Sequence, residues 1–300
     1  MVKIKGKRSI FLLSGLILTL VTSIGYFIHY SSNKSFISLP LSYSSKKTPL
    51  LQAKINNKDV LLGIDFGSKY HLFLNESFLA RIEKKELGKE LTRDFKGNKY
   101  QTPFYRLSKL QLGPLSFHNV KAHEQSQEQN TNQTLWEAEN PSNNDLIVGY
   151  IGRPAFETRN FLLDFPHRKF ILCDDMPTVR KNGYDLDDFL KVPCIQTKFG
   201  IIMNFMTDFG EARLVLDTGT TITMLRSGFT KDAPTTLDSR NIPHVFSEKF
   251  MIGGFDFTNK NLFLFDISDE LTLFDGILGM DFLEKHILYL DRKNSMIYIK

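Results

Sequence analysis

The chain has 300 residues, 42% of them hydrophobic and 24% charged, with a net charge of +5 at pH 7. Lys3, Lys5, Lys7 and Arg8 carry four of those charges, so the remainder is close to neutral and offers no basic patch of the kind nucleic acid needs. Seven scattered histidines form no ligand spacing, so no metal site or other cofactor is expected, and nothing around the two cysteines suggests a thiol nucleophile.

Residues 1–10 read as a basic cytoplasmic tail. Residues 11–28 carry no charge and are dominated by Leu, Ile, Val and Phe, at the lower edge of a bilayer-spanning length. We assign 11–30 as an uncleaved transmembrane anchor, with a cleaved signal sequence as the rival. Positive charge ahead of the span places the rest of the chain on the exported side, periplasmic or extracytoplasmic. Residues 31–47 are Ser-rich and polar and read as a linker.

An N-terminal half is expected over 48–180. Its strands read 50–55, 60–64, 70–74, 105–112, 117–122, 146–149, 161–164 and 169–173, with a hairpin turn at Asn56-Asn57-Lys58-Asp59. Only 77–87 looks helical. Lys96-Gly97-Asn98 is a turn between two extended runs. Residues 123–144 are Gln, Asn, Glu and Ser with a single Trp136, and read as a solvated loop. A C-terminal half follows over 181–300. In it, 212–216 leads into Asp217-Thr218-Gly219-Thr220, and 226–250 lacks glycine after Gly228. Cys173 and Cys194 could pair in an exported chain, or stay as two buried thiols.

The two halves repeat one another. Asp65, in Gly63-Ile64-Asp65-Phe66-Gly67-Ser68, lies 152 positions before Asp217. Gly149-Tyr150-Ile151-Gly152 matches Gly276-Ile277-Leu278-Gly279 at a spacing of 127, and Leu112-Gly113 with Phe117 matches Ile252-Gly253 with Phe257. Three matched blocks in one order indicate an internal duplication of about 120 residues per unit.

These blocks resemble the pepsin and retropepsin type of aspartic protease, in which each half carries an Asp-Thr/Ser-Gly loop and a later hydrophobic-hydrophobic-Gly segment beneath it. The resemblance covers roughly 48–299. It implies an all-β, bilobal acid-protease fold of two retropepsin-like β-barrel halves, here behind the N-terminal anchor, in a monomeric pseudo-dimer. It implies further that Asp65 and Asp217 are the catalytic pair, supported by Gly67, Ser68, Thr218, Gly219 and Thr220. Lys96, Gly97 and Asn98 would form the flap tip, and Gly152 and Gly279 would lie beneath the loops. The function implied is hydrolysis of a peptide or protein substrate by an activated water, without a cofactor. The glycine-poor 226–250 stretch suggests a single working flap. Phe66 departs from the pattern, which has Thr or Ser there, whose hydroxyl reaches the opposite loop. One half of that interlock is therefore expected to be missing. The alternatives are an inactive, peptide-binding chain on the same fold, or Asp217 paired with its equivalent in a second chain.

Overall fold

The computed structural model describes residues 29–31, 35–94, 96–125, 147–230, 233–257, 260–268 and 271–300. Among these the strands form three sheets, of nine, ten and six strands. The nine-stranded sheet belongs to the first half and the ten-stranded sheet to the second. The six-stranded sheet takes strands from both.

The first sheet starts from a hairpin of Pro49–Ile55 and Lys58–Asp65. Its two-residue turn is Asn56-Asn57, both at positive φ, which suits the right-handed twist of the flanking strands. Lys58–Asp65 then pairs in parallel with Ile147–Gly152, placing Ile151 beside Ile64 and Gly152 beside Asp65. Leu72–Asn75 closes over the other edge of Ile147–Gly152. The second sheet repeats this arrangement. Gly210–Leu216 pairs in parallel with Gly276–Leu278, and Met224–Arg226 covers the far edge. The paired glycines are explained by backbone contact. A Cβ on Gly152 would stand 2.0 Å from the Tyr70 carbonyl oxygen, and one on Gly279 2.3 Å from that of Ile222.

The six-stranded sheet runs in the order Leu190–Pro193, Met296–Ile299, Ile287–Asp291, Asn160–Asp164, Lys169–Cys173 and Phe36–Pro40. Its centre joins the halves, with Phe161 opposite Leu290 and Leu163 opposite Leu288. One face packs into the main core through Phe161, Leu163, Phe170 and Leu172. The other buries Leu162, Ile171, Cys173 and Tyr289 under Val179 and Leu186. Burial on both faces accounts for unbroken apolar runs such as Phe161-Leu162-Leu163.

Several expectations need correcting. Part of the assigned linker is structure: Phe36–Pro40 is an edge strand, Ser42–Tyr43 pairs with Pro49 and Leu50, and Ile37, Leu39 and Leu41 are buried. The alternation Ile37-Ser38-Leu39 supplies an apolar face that the serine content of this stretch obscured. The expected helix over 77–87 shrinks to Glu76–Leu79, because Lys85–Arg93 pairs as a long strand with Lys99–Leu112. The polar tract begins later than expected, since His123 to Gln125 complete the strand Leu115–Gln125 and His123 is buried. Cys173 and Cys194 are both free and buried. Burial pushes their thiols up to about 12 and about 11, so neither is a nucleophile near neutral pH. The segment assigned as the anchor (11–30) and most of the polar tract lie outside the described residues. No helix among those described is long and apolar enough to cross a membrane.

Candidate active site

One strand of each parallel pair delivers an aspartate to the cleft. Asp65 closes Lys58–Asp65, and Ser68 turns back to donate its amide to the Asp65 Oδ1 at 2.9 Å. Asp217 follows Gly210–Leu216, with its amide held by the Leu278 carbonyl at 3.1 Å. Its Oδ1 accepts the Gly219 amide at 2.8 Å and its Oδ2 the Thr220 hydroxyl at 2.9 Å. Each loop's glycine faces the opposite carboxyl group. A Cβ on Gly67 would lie 2.5 Å from the Asp217 Cγ, and one on Gly219 3.0 Å from the Asp65 Cγ. Only glycine lets the loops approach so closely.

Behind the loops, Thr218 is fully buried and spans the two halves. Its hydroxyl accepts the Phe66 amide at 3.1 Å and donates to the Ile64 carbonyl at 2.6 Å. The reciprocal arm has no hydroxyl, since Phe66 stands there. Its ring instead packs into an aromatic cluster with Phe156, Phe161 and Phe170, at centroid distances of 6.1, 4.4 and 6.0 Å. The missing interlock is thus replaced by packing within the first half and against the six-stranded sheet.

The two carboxyl groups flank the same point, since a Cβ on Gly219 would lie 3.1 Å from the Asp65 Oδ1 and 3.2 Å from the Asp217 Oδ1. Burial, and then the charge of Asp217, push the Asp65 carboxyl well above the ordinary carboxylate range. Burial raises Asp217 as well, but the Gly219 amide, the Thr220 hydroxyl and Asp65 itself oppose that rise. The hydroxyl on the Asp65 side does not help in the same way, because Ser68 Oγ is engaged with Tyr70. Two carboxyls held so close titrate as a pair, both above the ordinary range.

The dyad lines a cleft of about 680 Å³ between the halves. The hairpin of Lys85–Arg93 and Lys99–Leu112 covers it, with Lys96, Gly97 and Asn98 at the tip. Asp94 braces that tip, accepting from the Asn98 amide and side chain at 2.9 and 2.8 Å and from the Tyr100 hydroxyl at 3.1 Å. Gly97 reaches the second half, where a Cβ would lie 2.7 Å from the Ser268 hydroxyl. Of the three tip residues, Gly97 lines the cleft and Lys96 and Asn98 do not. The equivalent hairpin of the second half, Thr236–Leu237 with Pro243–Ser247, sits on an outer edge of its sheet, and none of the described residues of 227–267 lines the cleft. The asymmetry expected from the glycine content of 226–250 is present. Gly152 and Gly279 support the loops from below without entering the cleft.

The cleft also has walls that the motifs did not reveal. Phe199, Leu271 and Phe274 line the second-half side, and Lys69, Arg93 and Tyr100 the first-half side. Lys69 directly follows the active loop, which could have drawn attention to it. The three apolar residues carry no sequence signal that separates them from the core.

Residues 51–154, which include Asp65 and Gly152, match the family model described as aspartyl protease. Among solved structures the chain is similar to an aspartic proteinase from Irpex lacteus, at 14% identity and a TM-score of 0.54, over 88% of this chain and 96% of that one. It is also similar to basic 7S globulin from soybean, at 13% identity and a TM-score of 0.53, over 89% of this chain and 95% of that one. No curated protein matches. The resemblance to aspartic proteases holds, and the fold is that of an aspartic proteinase. At these identities the likeness speaks for the fold alone.

Proposed function

We propose that this chain is an aspartic endopeptidase in which Asp65 and Asp217 activate a water against a peptide bond. The observation that carries the proposal is the pair of carboxyl groups, one from each half, brought together around Gly67 and Gly219 and lining the cleft. Asp217, ionised and held by Gly219 and Thr220, takes a proton from the water as its oxygen attacks the carbonyl carbon. Asp65, protonated, donates to the carbonyl oxygen as it gains charge. The carbon–nitrogen bond then breaks, with the nitrogen protonated by Asp217, leaving a carboxylic acid and an amine. Throughout, the flap and the opposite wall would keep the substrate in register.

Asp65→Asn and Asp217→Asn each test this, since Asn keeps the shape but cannot exchange the shared proton. Both variants should lose hydrolysis of a peptide library while melting cooperatively. Near-full activity in Asp65→Asn with a dead Asp217→Asn would replace the intramolecular pair by Asp217 pairing between chains.

One observation favours a second reading, an inactive peptide-binding protein. Phe66 removes one arm of the interlock and the Ser68 hydroxyl is turned from Asp65 to Tyr70. Hydrolysis by the wild type, blocked by a statine-type inhibitor, excludes it. We further propose that the chain is held in a membrane by the apolar segment after its basic start, with the cleft on the exported side. A protease added outside intact cells or spheroplasts should then digest the region after residue 45, and protection until lysis would overturn this placement.

A further inference from the structure

The flap leaves the first sheet at one rung. Phe104 pairs with His123, which pairs on its other side with Phe73 of the cleft wall. Beyond that rung, residues 99–103 pair with 89–93 and, among the described residues, with no other strand. A two-stranded ribbon is marginal on its own, so its seat over the dyad depends on what holds its root. The backbone bends there, since Gly88, opposite Phe104, has a φ of 122° beside a shift of register.

Glu90, on the ribbon just past this rung, reaches back across it. Its Oε2 accepts from the Lys121 ammonium at 2.7 Å and lies 2.8 Å from His123 Nε2. A carboxylate only accepts, so Nε2 carries the proton of that bond. Burial pushes the Glu90 carboxyl up, but Lys121 and His123 outweigh it and hold the group below the ordinary range. His123 is 2% exposed, and its Nδ1 has no partner among the described residues. Its ring is caged by aromatic rings, with centroids 4.3 Å from Tyr70, 5.5 Å from Phe73 and 5.8 Å from Phe104. Tyr70 and Phe73 line the cleft, as do Thr92 and Arg93 of the flap strand, whereas Glu90 and His123 stand behind it. The Lys121 arm is open to water and contributes less than the bond to the buried imidazole.

We propose that Glu90 and His123 are positioning residues that latch the root of the flap to the cleft wall at Tyr70 and Phe73, holding the flap closed over a bound peptide. This rests on the endopeptidase reading above and adds to it how the flap is kept in place. Neither residue takes part in the proton transfers, and both act through the flap.

The test is hydrogen–deuterium exchange of the full chain without substrate, in wild type, Glu90→Ala and His123→Phe. Phenylalanine fills the cage and removes only the polar bond. Amides of residues 89–103 should exchange roughly tenfold faster in both variants, the scale of one hydrogen bond to a charged group, while those of residues 49–65 keep the wild-type rate. Glu90→Gln, which still offers Nε2 an oxygen, should recover most of the protection. In peptide hydrolysis, KM should rise more than kcat falls in Glu90→Ala and His123→Phe. Unchanged exchange at the flap overturns the proposal, as does faster exchange throughout the chain, which would mark a loss of general stability. Glu90→Gln exchanging like Glu90→Ala, or kcat falling with KM unmoved, overturns it as well. A flap loosened by both substitutions in a chain that cuts no peptide leaves the latch standing and removes the endopeptidase activity.

Discussion

The amide of Phe66 donates to the hydroxyl of Thr218 at 3.1 Å, tying the first half's active loop to the second's through a single buried side chain. The same hydroxyl donates to the Ile64 carbonyl at 2.6 Å, so one threonine serves a donor and an acceptor from the strand end that carries Asp65. With no hydroxyl at Phe66 to answer it, the hydroxyl-mediated tie behind the loops comes from the second half's side.

Thr218→Val should therefore be costly. Its shape is retained, but the Phe66 amide and the Ile64 carbonyl lose their partner in a dry environment. An unsatisfied buried group costs about 1–3 kcal/mol, so we expect a loss of a few kcal/mol in chemical denaturation. Thr218→Ser, which keeps the hydroxyl, should recover most of it. Equal stability of the two variants would show that the bond contributes nothing.

Phe66→Thr tests the other arm. A new cross-loop hydrogen bond contributes about 0.5–1.5 kcal/mol, whereas truncating a buried phenylalanine costs about 3–5 kcal/mol. Packing should win, giving a lower melting temperature as the cluster around Phe161 loses its central ring. Activity per molecule, counted by active-site titration, should hold or rise, because it depends on carboxylate geometry. A fall in turnover per titrated site would make the phenylalanine part of the working cleft.

The raised pKa of Asp65 predicts the direction of its pH dependence. A carboxyl whose folded pKa lies above its unfolded value binds its proton more tightly in the native state. Its contribution is complete below the unfolded pKa of about 4 and is lost as pH rises through the folded value. Asp65→Asn should accordingly melt above the wild type near pH 7, with the gap closing towards pH about 4. A pH-independent gap would show that the shift is absent.

Thr220→Ala and Ser68→Ala should differ although the two residues occupy matching places. Thr220 donates to Asp217, so its removal should raise the pKa of that carboxylate and move the acid limb of the kcat/KM profile upward in pH. The Ser68 hydroxyl serves Tyr70, so Ser68→Ala should leave that limb in place while its backbone amide still holds Asp65. Equal shifts in both profiles would contradict the asymmetry of the pair.

Ile37→Ala and Leu39→Ala probe the part of the linker stretch that forms structure. Both side chains are buried on the edge strand of the six-stranded sheet, and such truncations cost about 2–5 kcal/mol. A flexible linker would lose nothing measurable in a thermal melt.

Much of this architecture is legible in the sequence. The Asp-x-Gly loops and the later glycine blocks repeat in order, and their glycines mark close contacts, with the opposite carboxyl group at Gly67 and Gly219 and with backbone at Gly152 and Gly279. Constraints of that kind are written locally, one residue at a time. Phe36–Pro40 was not legible, because an edge strand of five residues is stabilised by Lys169–Cys173, far away in sequence, and the serines around it mask a two-residue period. The fate of Phe66 was legible only as a loss, since a sequence records the missing hydroxyl but not the three phenylalanines that receive the ring. The raised pKa of Asp65 belongs to the same class, since it comes from burial and from the charge of Asp217. Charge and burial at a cleft are sums over neighbours in space, and those neighbours are set by the pairing of the sheets.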